Sequence, residues 1–144
     1  MAEFATSIEI AAPPAAVFDY LVTEDGMTAW MGQYAELDAR PGGRFAVDIA
    51  GSPVRGEYLH VEPSRRVVVS WGFAGSSELP SGASRVEFTL TPTDGGTRLD
   101  LVHSGLPDSA LEGHAHGWAH FVPRLAEASR GIDLGPDDWR PLGS

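Results

Sequence analysis

The sequence predicts an α+β domain in which a curved antiparallel sheet wraps a long C-terminal helix, with two short helices after the first strand. Three observations predict it. From Gln33 to Ser104 the chain is a succession of alternating apolar and polar runs, the period of half-buried strands. The runs are separated by short Gly, Pro and Asp turns with no room for a crossover helix, so neighbouring strands run antiparallel. After them comes one segment with apolar residues three and four apart, the stripe of a helix with a single buried face.

Each element has a local cause. Phe4 to Ile10 alternates Ile8 and Ile10 with Ser7 and Glu9 and reads as the first strand. Pro13 and Pro14 open a short helix, where a missing amide costs little, and Val17, Phe18 and Leu21 are its apolar stripe. Thr23 is the expected N-cap of a second short helix carrying Met27, Trp30 and Met31. Gln33 to Asp38 is a weak strand, and Pro41, Gly42 and Gly43 turn the chain into Arg44 to Ile49, with Phe45, Val47 and Ile49 on one face. Val54 to Glu62 follows, then a turn at Pro63 and Ser64, then Arg66 to Phe73. Ala74 to Gly82 is a Ser/Gly/Pro loop. Ser84 to Thr91 and Arg98 to Ser104 flank a hairpin turn at Asp94, Gly95 and Gly96. The last helix carries Leu111, Ala115, Trp118, Phe121, Val122 and Leu125 and ends at Gly131. Pro123 interrupts its hydrogen-bond ladder, predicting either a kink, the favoured alternative, or two shorter helices.

At 144 residues and 42% hydrophobic, the chain has the size and composition of one folded domain. Residues 1–131 are assigned to the domain and 132–144 to a Pro/Gly/Asp-rich tail with one aromatic side chain, Trp139. No apolar run reaches the roughly 18 residues of a membrane span, and the N-terminal residues lack a basic stretch followed by an apolar one. A cytoplasmic location is the default expectation. The absence of cysteine excludes disulfides, a thiolate nucleophile and cysteine metal ligands. All ten basic residues are arginine, so no lysine is present for Schiff-base or phosphate-loop chemistry. A net charge of −10 with scattered arginines argues against nucleic-acid binding.

The order of elements, and the segments Ile8 to Phe18, Trp30, Pro41 to Phe45 and Gly56 to Glu62, resemble the helix-grip or START-like (SRPBCC) superfamily. Pro63, Arg65, Arg66, Trp71, Gly96 to Arg98, His103 to Gly105, Gly117 and Trp118 extend the resemblance across almost the whole chain. The nearer likeness is to the branch related to the C-terminal domain of the Hsp90 ATPase activator. The resemblance implies a cavity between the concave face of the sheet and the last helix. It carries no cofactor, and members of the wider superfamily bind lipids, hormones or polyketides, some of them catalysing cyclisations.

The candidate lining is aromatic. Trp30, Phe45, Tyr58, Trp71, Phe73 and Phe88 come from the short helix and the strands; Trp118 and Phe121 come from the last helix. Each of them could instead simply fill the core, and of the tryptophans Trp30 and Trp118 are the stronger lining candidates. Leu101 and His103 continue the inward face of the last strand. His103 then either faces the cavity, to orient a ligand or act as acid or base, or bonds a turn near Ser104 and Gly105. His114 borders the helix stripe at the cavity mouth. His116 and His120 have chelating spacing, but Gly117 breaks the zinc-protease pattern and both lie off the stripe, so they read as exposed polar residues and no metal site is assigned. Arg44, Arg55, Glu57 and Glu87 read as outward cross-strand charges. The leading expectation is a protein that binds a small hydrophobic or aromatic molecule, lipid or polyketide-like. The alternatives are a chaperone-linked interaction module and an enzyme using His103. Monomer and homodimer are both compatible.

Overall fold

A computed structural model describes residues 2–142. The chain forms β1 (Ala2–Ile10), α1 (Pro14–Val22), α2 (Glu24–Trp30), β2 (Tyr34–Leu37), β3 (Arg44–Ile49), β4 (Ser52–Glu62), β5 (Arg66–Phe73), β6 (Ser84–Thr93) and β7 (Gly96–Leu106). A 3₁₀ turn, Asp108–Ala110, leads into α3 (Leu111–Ser129). The seven strands form one sheet in the order β1-β7-β6-β5-β4-β3-β2. Every pairing is antiparallel. Only β1 joins out of sequence order: α1, α2 and the other strands intervene before β7 comes back beside it.

The turns follow from their residues. Ala50 and Gly51 join β3 to β4 with φ of 50° and 85°, a two-residue hairpin turn whose backbone twist matches that of the strands. Thr93 pairs with Gly96 across Asp94 and Gly95. This tight closure lets β6 and β7 run further than the alternation alone predicts. Thr23 caps α2 by accepting a hydrogen bond from the Gly26 amide at 3.1 Å. Outward charges pair across strands, Arg55 with Asp48 at 2.8 Å and Arg66 with Glu87 at 3.0 Å.

α3 is one continuous helix through Pro123, so the two-helix alternative falls. Pro123 is on the exposed side, while Phe121, Val122, Leu125 and Ala126 are buried on both sides of it. α1 and α2 pack against α3. Trp30 anchors that packing: it is fully buried, its indole N–H donates to the Tyr20 carbonyl at 2.9 Å, and its own carbonyl accepts from Arg124 at 3.1 Å. Its ring meets Phe88 edge-on at 6.5 Å. This corner of the molecule is solid core.

Candidate functional site

Beside that solid corner lies a cavity of about 300 Å³. Trp71 and Phe73 of β5 and Trp118 and Phe121 of α3 supply aromatic surface, with Met31, Ile49 and Leu79 adding aliphatic surface. Gly113 and Gly117, four apart on α3, also line it; they take up no side-chain volume, and a Cβ at Gly113 would meet open space. The β5–β6 loop contributes Ser76 and Glu78 at the rim, where Ser76 Oγ accepts from the Leu79 amide and Glu78 accepts from Ser109 Oγ at 2.8 Å.

Two imidazoles lie behind the tryptophans, and the indoles determine their protonation. The Trp118 indole N–H donates to His103 Nδ1 at 3.1 Å, so that nitrogen carries no proton. Nε2 of His103 then donates to Ser84 Oγ at 2.8 Å, and Ser84 donates to the Trp71 carbonyl at 2.7 Å. Each donor in this chain has an acceptor. His103 is fully buried, and burial, with the neighbouring His114, pushes its pKa down to about 3. His114 is organised in the same way: Trp71 Nε1 donates to its Nε2 at 3.2 Å, and its Nδ1 donates to the Ala110 carbonyl at 2.9 Å. Burial lowers its pKa as well. The His103 and His114 rings meet edge to face at 4.9 Å.

Of the candidate lining residues, Trp71, Phe73, His114, Trp118 and Phe121 border the cavity. The other six do not: Trp30, Phe45, Tyr58, Phe88, Leu101 and His103 are buried in the core. Tyr58 shows why. Its hydroxyl donates to the Leu21 carbonyl at 2.9 Å and its ring packs edge-on against Phe45 at 5.6 Å, so burial raises its pKa. His103 neither faces the cavity nor bonds the nearby turn; its partners come from β6 and α3.

The tail corrects a further expectation. His116 and His120 are not free surface groups. Both stack on Trp139, with ring centroids at 5.4 and 5.9 Å, and Trp139 meets Phe121 at 4.9 Å. Trp139, Pro141 and Leu142 form one side of the cavity. The single aromatic residue of the tail was the available signal for this. So was the Gly113–Gly117 spacing, which marks a helix face without side chains.

A family model described as "Activator of Hsp90 ATPase homolog 1-like protein" matches residues 11–130. Among curated proteins none matches. A solved structure from Rhizobium etli, described as a protein like that same activator, is 40% identical, covers 96% of this chain and 88% of its own, and superimposes with a TM-score of 0.76. A Mesorhizobium loti protein is 27% identical over 92% of this chain and 100% of its own, with a TM-score of 0.81. DynU16, a protein in the dynemicin biosynthetic locus, is 27% identical over 96% of this chain and 51% of its own, with a TM-score of 0.80. The fold these likenesses share is the helix grip.

Proposed function

The chain belongs to the activator of Hsp90 ATPase homolog 1-like family, and we propose that it acts by binding a small, uncharged, largely aromatic molecule in the cavity between sheet and α3. The observation that carries this reading is an aromatic cavity whose tryptophans and histidine turn their hydrogen-bonding groups into the protein. Trp71 and Trp118 spend their indole N–H groups on His114 and His103, and both imidazoles spend their remaining proton on the protein. The walls therefore offer dispersion and aromatic contacts, and the serines and Glu78 offer polar contacts only at the rim. A cavity of roughly 150 Å³ takes one benzene-sized ring, so the volume here suits about two.

The same geometry disfavours the catalytic alternative. An acid or base must reach the proton it transfers, and His103 is sealed in the core with both nitrogens engaged. A chaperone-linked role takes its support from the family's name rather than from a surface feature. The likeness to a protein of the dynemicin locus supports, as a proposal, an aromatic polyketide-like ligand class.

A thermal-shift screen with flavonoids, polyketide-like aromatics and fatty acids tests the reading, since a ligand specific for the native state raises the melting temperature. Aromatic compounds are expected to stabilise the protein. In Gly113→Phe, which places a ring in the open space at the cavity mouth, that shift should vanish while the ligand-free melting temperature stays close to wild type. A shift that survives Gly113→Phe, or no shift with any aromatic, would overturn it.

A further inference from the structure

The cavity has a wall that lies outside the segment matched by the family model: residues 11–130 are matched, and Trp139, Pro141 and Leu142 are not among them. We propose that this tail segment is part of the binding site, and that Trp139 is its specificity-determining residue, selecting flat aromatic rings over flexible alkyl chains. The inference rests on the binding reading above and adds to it the residue that decides which ligands fit.

Trp139 is seated by a built-in receptor on α3. Gly117 leaves a hole where a side chain would stand, and a Cβ there would lie 3.6 Å from the indole. His116 and His120, one turn apart, stack on that indole at interplanar angles of 28° and 18°. Polar contacts hold the segment on either side of the ring. Asp137 takes both carboxylate oxygens to 3.0 Å from His120 Nε2, lies 3.7 Å from Arg124, and accepts from the Trp139 amide at 3.3 Å. His116 Nε2 donates to the Arg140 carbonyl at 3.3 Å. Asp137 is only 11% exposed, so it is held in the interface rather than trailing in solvent.

The seat is also incomplete. The indole Nε1 of Trp139 is buried without a partner. Trp71, Trp118, Phe121 and Trp139 all line the cavity, so a ring inserted there meets aromatic surface from sheet, helix and tail.

The test pairs 1-naphthylamine, an uncharged fluorescent probe of two fused rings, with decanol as an alkyl competitor, on the full chain and on Trp139→Ala and Trp139→Phe. Trp139→Ala is expected to weaken the naphthylamine about tenfold, as expected for loss of one aromatic wall. Decanol should be affected far less, and Trp139→Phe should keep most of the preference. Unchanged naphthylamine affinity in Trp139→Ala would overturn the inference and leave the binding reading standing. No naphthylamine binding to the wild type would sink the binding reading, and this inference with it. A ligand-free check stands apart from both: ring-proton resonances of His116 and His120 should be displaced by the indole in wild type and relax in Trp139→Ala. Their absence of displacement in the wild type would show an undocked segment and end the proposal.

Discussion

His103 is a titratable group buried at the centre of a hydrogen-bond chain, and its neutral form is the one the fold accepts. The unfolded chain takes up a proton on this residue near the ordinary histidine value of 6.5, whereas the folded one resists protonation down to about 3. Between those values the unfolded state binds the extra proton, so stability is greatest above pH 6.5 and declines on acidification. Between pH 7 and pH 5 the loss attributable to His103 is about 2 kcal/mol. His114, lowered for the same reason, adds to the decline in the same direction. His103→Gln can still accept from Trp118 and donate to Ser84 but cannot titrate. Denaturant unfolding at the two pH values should show the wild type losing about 2 kcal/mol more than His103→Gln. Equal losses would mean that His103 is protonated in the fold. The inward direction of His103 was legible in the Leu99, Leu101, His103 series, because strand alternation alone sets it. Its partners were not, since Ser84 and Trp118 meet it only through β-register and helix packing.

Among the elements, α3 shows how far pattern reading reaches. Spacings of three and four located the helix and its buried face, and Pro123 stays within it because it sits on the exposed side. The strands were equally readable, β3 and β5 to the residue, because a run of strand-forming apolar residues is bounded there by clear turn residues. What pattern could not show is which end of the groove is filled. Trp30 was expected to line the cavity, but α1 and α2 fold over the groove there and bury it. The opening lies by Gly113 instead, while Trp139 covers Gly117. Gly117 is a costly residue inside a helix, about 1 kcal/mol worse than alanine. A Cβ at this position makes only ordinary contact with Trp139, at 3.6 and 3.7 Å. Gly117→Ala should therefore raise the melting temperature by about 2–4 °C, read by calorimetry. A drop would show that the indole sits tighter on the helix than this contact implies.

For the molecule as a whole, the sheet, α3 and the tail enclose a space that one end of the helix leaves unfilled and that Trp71, Phe73, Trp118, Phe121 and Trp139 line. The architecture was legible because hairpins and one amphipathic helix admit few arrangements. The tail's share in the cavity was not, because Trp139 docks by complementarity to a hole and two stacked imidazoles, features that no local periodicity encodes. The four tryptophans offer a direct readout, for Trp71, Trp118 and Trp139 line the cavity while Trp30 sits in the core bonded to Tyr20. Titrating 1-naphthylamine into ¹⁵N-labelled protein and following the indole N–H signals should move the first three and leave Trp30 in place. Shifts confined to Trp30, or no movement of the cavity indoles at saturating probe, would contradict a ligand site between sheet, helix and tail.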